Sequence, residues 1–132
     1  MTPPQPTIGP HEGRELELML AGAKPLSMFL VPIDTEFEIF PEGEFDRLVS
    51  EGRLAKSVSL ETVKHPDGPD TQVRRVLYAL PGEEWRINAM LLVNALYFSL
   101  TPGWRPDLER IIGLLLGYGR EEIEEFLASM GL

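Results

Sequence analysis

The segment from Glu83 to Leu100 constrains the fold of this chain more than any other stretch of its sequence. It contains no proline or glycine, and its apolar run is too long for one strand of a small domain. Apolar residues three or four positions apart predict one stripe along a helix, formed by Trp85, Ala89, Leu92, Leu96 and Leu100. Further apolar residues surround most of the helix, which must then be covered on more than one face. We therefore expect a central core helix in which Trp85 and Leu92 are largely buried.

The composition is typical of one small globular domain. With 132 residues, 43% of them hydrophobic, the chain can bury roughly two-thirds of its unfolded surface. The absence of cysteine excludes disulfides, thiolate metal sites and a cysteine nucleophile, and it fits a reducing compartment. No signal-peptide pattern is visible at the N-terminus, and no apolar run approaches the ~20 residues of a membrane span. We expect a cytoplasmic protein without membrane contact.

The charge of the chain is negative but unevenly distributed. A net charge of −9 argues against binding to nucleic acid, because a phosphate backbone requires a clustered basic face. The formal charge is −7 over residues 1–52, +1 over residues 53–86 and −3 over residues 87–132. The middle third is therefore nearly neutral within an acidic chain. We expect acidic faces on helices near residues 42–46 and 121–125.

The N-terminal part predicts an arm followed by alternating helix and strand. Residues 1–10 hold four prolines, which predicts a disordered or loosely docked arm before a single domain over residues 11–132. Apolar spacing then predicts a helix over 12–23, a buried strand over 26–31 and a helix over 41–51. Residues 35–40 alternate apolar and polar side chains, which fits either an edge-like strand or an irregular crossing.

The second half predicts a hairpin and three helices. Two alternating segments, over 54–61 and 72–80, flank the strong turn sequence His65–Asp70. After the central helix, a helix starting near Pro106 and a last short helix form an αα-hairpin. The order predicts an α+β fold: a small, mostly antiparallel sheet, made of a β-hairpin plus one or two further strands. The central helix and the C-terminal αα-hairpin would cover this sheet.

No residue cluster predicts catalysis, a metal or a cofactor. The two histidines, His11 and His65, lack the second histidine or the cysteine that a metal site at helical spacing requires. We interpret His11 as a surface residue of the arm and His65 as part of a tight turn. No serine lies in a nucleophile motif, and the glycines form no phosphate loop.

The basic residues of the hairpin region are the main candidates for binding. They could form a cationic patch, or they could pair with the many acids of the chain as exposed ion pairs worth ~0–1 kcal/mol each. Arg74 and Arg75 are adjacent in a strand, so they point to opposite faces, and we expect at least one to be buried or paired with Glu61. Trp104 is the best single contact candidate, because Trp and Arg dominate interface hot spots; the alternative is a loop residue that folds back over the core. The candidate binding residues are Arg53, Lys56, Arg74, Arg75 and Trp104.

These patterns favour a small acidic domain that acts by macromolecular interaction, as an adaptor, a regulator or an immunity-type inhibitor. Its partner would be another protein, with a basic surface as one option, and homo-oligomerisation stays open. The alternative is a small-molecule-binding protein or an enzyme without a recognisable motif. Its pocket would lie between the sheet and the central helix and be lined by Tyr78, Arg86, Asn88 and Tyr97.

Overall fold

The computed structural model describes residues 11–99 and 103–132 and has a mixed α+β fold, as predicted. The arm predicted over residues 1–10 and Leu100 of the predicted stripe lie outside the described residues. The elements follow the order α1 (Glu15–Leu20), β1 (Leu26–Pro32), α2 (Glu42–Ser50), β2 (Ala55–Val63), β3 (Thr71–Ala79), α3 (Trp85–Ser99), α4 (Pro106–Leu115) and α5 (Arg120–Ser129). Within the described part, no helix is long and apolar enough to cross a membrane.

The chain divides into two compact units. The sheet unit is Leu26–Ile87, and the helical unit combines the described residues up to Pro25 with Asn88–Leu132. Helix α3 begins in the sheet unit and continues in the helical unit. The prediction of a single domain over residues 11–132 stays a prediction.

The sheet unit is built around β3, which pairs antiparallel with β1 on one side and β2 on the other. Four aromatic rings pack on one side of this sheet, and α2 contributes one of them, Phe45. The Phe29 and Phe40 rings stack with their centroids 4.0 Å apart, and the Phe45 and Tyr78 rings lie 4.6 Å apart. Burial of such rings accounts for a large part of the core energy of a small unit. The predicted hairpin is confirmed, with β2 and β3 in continuous register from Ala55↔Ala79 to Val63↔Thr71.

The helical unit contains a C-terminal helix pair, which the spacing of its apolar residues predicts. Helices α4 and α5 approach closely at Gly113, where an added Cβ would lie 2.7 Å from Cγ1 of Ile123. Ile123 and Leu127 of α5 are buried together with Tyr118 in one cluster. The glycine therefore permits a helix contact that a larger side chain would obstruct.

The structure corrects the predicted burial of the long helix. Trp85 is 55% exposed and Leu92 is 62% exposed, so the predicted burial of this stripe is wrong. The buried face is rotated around the helix, and over residues 85–97 its buried residues are Ile87, Met90, Val93 and Asn94. Because α3 is apolar on nearly every side, its residue spacing favours no single face, and tertiary packing selects one.

The structure also decides three predictions about shorter segments. The first helix spans only Glu15–Leu20, and no strand forms over residues 35–40, so the irregular crossing is the correct alternative. His11 is not a surface residue of an arm, because its ring is half-buried and stacks on Tyr118. The remaining helices and strands agree with the sequence predictions within one to three residues at most ends.

Candidate functional site

The main candidate site is the segment of residues 33–39 in the sheet unit, which we call the Phe37 loop. At its start, the Ile33 N–H donates to the Gln72 carbonyl at 3.0 Å and extends the pairing of β1 with β3. At its end, Phe40 is buried in the aromatic cluster, and its carbonyl accepts from the Glu42 N–H at 2.7 Å. Both ends are thus fixed to the sheet and to α2, so the loop is presented on an ordered frame.

The middle of the Phe37 loop exposes apolar side chains. Phe37 is 80% exposed, more than any other large hydrophobic residue described, and Ile33 and Ile39 are also exposed. Three carboxylates alternate with them, and the loop holds no basic residue. A single exposed apolar residue is ordinary, but an exposed aromatic ring with two apolar neighbours on one short loop is typical of a contact surface. The three acidic residues are Asp34, Glu36 and Glu38.

A groove of about 280 Å³ lies beside the loop and extends to the start of α2. Its apolar wall includes Val31, Ile39 and Phe40, and its polar wall includes Glu42 and Arg74. The Arg74 guanidinium donates to both carboxylate oxygens of Glu42, at 3.0 and 2.8 Å. This bidentate pair holds the pKa of Glu42 at about 2, against a smaller opposing effect of burial. The polar wall is therefore a neutralised ion pair throughout the physiological pH range.

The ion pair continues into a network that connects α2 to the sheet. Lys56 donates to Glu42 at 3.0 Å and approaches Asp46 at 2.8 Å, while the Tyr78 hydroxyl donates to Asp46 at 2.9 Å. Burial by itself lowers the pKa of Lys56, but the hydrogen bonds with the two carboxylates raise it overall. Burial, followed by the Asp46 hydrogen bond, raises the pKa of Tyr78. This network leaves the acids at residues 42 and 46 engaged by cations and a hydroxyl rather than forming an open acidic face.

The structure pairs each predicted basic binding residue in the hairpin region with a carboxylate. Lys56 and Arg74 belong to the network just described, and Arg53 lies 3.7 Å from Glu51. Arg75 is buried and donates to Glu61, as expected for one of the two adjacent arginines. These cations therefore do not form one open cationic surface, and a binding role for them stays a prediction. Trp104, the other candidate, is about half exposed.

Three of the four residues of the alternative pocket form hydrogen bonds within their own units. In the sheet unit, Tyr78 donates to Asp46, and Arg86 donates to Glu83 at 2.6 Å. In the helical unit, the Tyr97 hydroxyl donates to Glu109 at 2.8 Å and accepts the Arg105 N–H at 3.1 Å. The fourth residue, Asn88, is exposed on α3. A ligand that used these hydroxyl and guanidinium groups would have to compete with the existing hydrogen bonds.

The helical unit contains a second polar cluster, around Lys24, which is only 2% exposed. Its ammonium donates to the Leu116 carbonyl at 2.6 Å, lies 2.9 Å from His11 Nδ1, and lies 5.0 Å from the Tyr118 ring centroid. Burial lowers the pKa of Lys24 to about 8 and, together with the Lys24 charge, lowers the pKa of His11. A lysine with a lowered pKa can act as a nucleophile, but this one satisfies a carbonyl at the C-terminal end of α4. Its contacts support a structural role.

Neither the histidines nor the second cavity indicates a catalytic centre. An apolar cavity of about 270 Å³ in the helical unit, bounded mainly by Ile112, Tyr118 and Phe126, is slightly smaller than most ligand pockets. His65 lies 2.9 Å from the Thr71 hydroxyl, next to the hairpin turn. Among residues 11–99 and 103–132, no three His, Asp or Glu side chains are grouped so that they could hold a metal ion. Stoichiometric metal analysis remains the test of the prediction that no metal binds.

Comparison with protein-family models, curated proteins and solved structures finds no match for this chain. The candidate site consequently depends on the exposure and charge of the Phe37 loop. Sequence analysis missed Phe37 because alternation over residues 35–40 is compatible with a half-buried strand. One signal was available: three acids within five residues make a buried edge strand unfavourable and an exposed loop more favourable.

Proposed function

We propose that this protein acts by binding another protein and that the Phe37 loop is its contact surface. The observation that carries the proposal is the 80% exposure of Phe37 between two glutamates, on a loop anchored at both ends. Exposed aromatic rings that fill a partner's pocket contribute disproportionately to binding energy. A loop held by the sheet and by α2 also loses little conformational freedom on binding, which favours affinity.

The chemistry of the loop specifies its partner. Phe37, with Ile33 and Ile39, requires an apolar pocket or groove, and the surrounding carboxylates favour lysines and arginines at its rim. The net charge of −9 would orient and accelerate the approach of such a basic surface. We therefore infer a basic protein partner with an apolar pocket, and we place the interaction in the cytoplasm, in keeping with a cysteine-free chain.

The test compares three forms of the protein immobilised in parallel: wild type, Phe37→Ala and the control Leu92→Ala. Leu92 is 62% exposed and lies outside the loop, so it matches the loss of an exposed apolar side chain. Proteins retained from an extract of the source cells are quantified by mass spectrometry, and a candidate partner is then purified. We expect Phe37→Ala to weaken the measured affinity for the purified partner by about 30-fold or more, the range of a hot-spot residue. The Leu92→Ala variant should bind like wild type.

Charge variants test the electrostatic part of the proposal. Replacing Asp34, Glu36 and Glu38 with their amides should slow association more than it speeds dissociation. The same variant should lose part of the salt dependence of association between ~0.05 and ~0.5 M salt, because ions screen exposed charges over that range and three of those charges are removed. If Arg53→Glu abolishes binding while the Phe37 and amide variants bind normally, the contact surface is the hairpin and the Phe37 loop proposal is wrong. A purified small molecule that binds stoichiometrically to the wild type and to Phe37→Ala would instead favour the small-molecule alternative.

A further inference from the structure

The outer edge of β2 is an unpaired strand edge with exposed apolar side chains. Residues Ala55–Val63 pair with β3, and among the described residues no other segment forms a backbone hydrogen bond with β2. On the side of the sheet that carries α2, Val58 is 47% exposed and Leu60 is 68% exposed. A strand edge of this length can pair with a further strand.

The usual features that prevent edge pairing are missing from β2. The strand contains no proline or glycine, and its register with β3 is continuous, without a bulge. Its one lysine, Lys56, is held by Glu42 and Asp46. Natural edge strands are commonly protected by a proline, a bulge or a free charge. The edge strand β1, by contrast, ends in Pro32.

We propose that a second copy of this chain pairs with β2, antiparallel and about a twofold axis at Ser59. In this register Ser59 lies opposite Ser59 of the second copy, and a residue n positions before Ser59 lies opposite the residue n positions after Ser59 in the second copy. Val58 therefore faces Leu60 of the second copy. The two pairs would form one four-residue apolar cluster on a continuous six-stranded sheet. Lys56 would face Thr62, and Glu61 would face Ser57, so no like charges lie opposite each other.

The charge distribution favours a second copy as the occupant. Two copies of a chain with a net charge of −9 repel each other over most of their surfaces. β2 lies within residues 53–86, whose formal charge is +1, so pairing there brings the two copies together with little repulsion. A basic partner gains nothing from this nearly neutral edge, and we assign such a partner to the Phe37 loop instead.

The first test measures the mass of the full-length protein in solution by light scattering across the micromolar range. We expect a concentration-dependent rise to twice the 14.8 kDa of one chain. The Val58→Lys/Leu60→Lys and Val58→Glu/Leu60→Glu double variants should each remain at the mass of one chain. Mixed in equal amounts, they should form dimers, because each lysine then faces a glutamate. The control Leu92→Lys should dimerise like wild type.

The second test uses the absence of cysteine to identify the register. Ser59→Cys supplies one thiol per chain, which in the proposed dimer faces its own copy at about 4.5–5.5 Å between Cα atoms, within disulfide range. We expect this variant to form a covalent dimer under mild oxidation. In the control Ser57→Cys, each thiol would lie opposite Glu61 of the other copy, four residues along the strand from the other thiol. The two thiols would then be roughly 13 Å apart and should not cross-link.

Five outcomes would overturn the proposal. Wild-type protein that stays at the mass of one chain throughout the series excludes the dimer. If the dimer persists in both double variants, it uses another surface. The same conclusion follows if only Leu92→Lys abolishes the dimer. If the mixed variants remain monomeric, or if Ser57→Cys cross-links and Ser59→Cys does not, the twofold register at Ser59 is wrong.

Discussion

Replacing Gly117 with alanine should destabilise the helical unit at one identifiable contact. Gly117 follows α4 with φ +91°, and its N–H donates to the Leu114 carbonyl at 3.1 Å. A Cβ at this position would lie 2.6 Å from Cδ of Pro25, far inside the ~3.5–4.0 Å separation of carbon atoms in contact. The ring of Pro25 cannot rotate away, because it is closed onto its own backbone.

Two separate effects set the expected magnitude. An L-residue in the left-handed region costs about 1–2 kcal/mol, and overpacking against a rigid neighbour costs typically ~1–3 kcal/mol more. Gly117→Ala should therefore lower the free energy of unfolding by about 2–5 kcal/mol. Gly22→Ala is the matched control, because Gly22 also follows a helix, with φ +74°, and has no atom within 4 Å of an added Cβ. This control should lose only the backbone contribution.

Urea unfolding of both variants, followed by circular dichroism, measures the difference. The Pro25→Ala/Gly117→Ala double variant should recover part of the loss, since removing the ring frees space for the new methyl group. If Gly117→Ala and Gly22→Ala shift the unfolding midpoint equally, or if Pro25→Ala gives no recovery, the close approach of Pro25 to Gly117 does not determine stability and our reasoning is refuted.

Three further predictions concern other parts of the molecule. Met90→Ala should destabilise by ~2–5 kcal/mol, whereas the exposed Leu92→Ala should stay within about 0.5 kcal/mol of wild type in urea unfolding. The pKa of Glu42 is about 2 instead of 4.5, so the stabilisation by its carboxylate is complete above about pH 4.5 and is lost as the pH falls towards 2. In unfolding curves recorded over a pH series, Glu42→Gln should lack this acid-sensitive part of the stability. The pKa of Lys24 is lowered from 10.5 to about 8, so between these pH values the unfolded chain binds more protons than the folded protein does. The stability should therefore rise from pH 8 to pH 10.5. Thermal unfolding of Lys24→Met over the same pH range should show no such rise.

The sequence predicts the elements of this fold well because their signals are local. The turn at residues 65–70 and the apolar spacing in α4 each depend on a few neighbouring residues. The buried face of α3 is different, since a helix apolar all round can present several faces to a core. Met90 rather than Leu92 is buried, and only the packing of distant residues decides between them.

The exposed surfaces, including the candidate site, were less predictable than the helices and strands, because the exposure of a side chain is a property of the whole fold. Alternation in β2 predicted an apolar face at Val58 and Leu60, but not that this face stays exposed. His11 was misplaced because its ring packs on Tyr118, more than a hundred residues away in the sequence. The pairing of Arg75 with Glu61 was predictable, because adjacent strand residues point to opposite faces and the turn places the two strands side by side.

The discontinuous helical unit has a consequence for folding during synthesis. The sheet unit Leu26–Ile87 is one uninterrupted stretch, so all of its residues are synthesised before α4 and α5. The helical unit needs segments from both sides of that stretch, and the hydrogen bond from Lys24 to the Leu116 carbonyl joins residues 92 positions apart. Closing so long a loop is slow relative to forming local contacts. The sheet unit should therefore fold first, and residues 11–25 should wait, with Met19 and Lys24 uncovered, until α4 has been made.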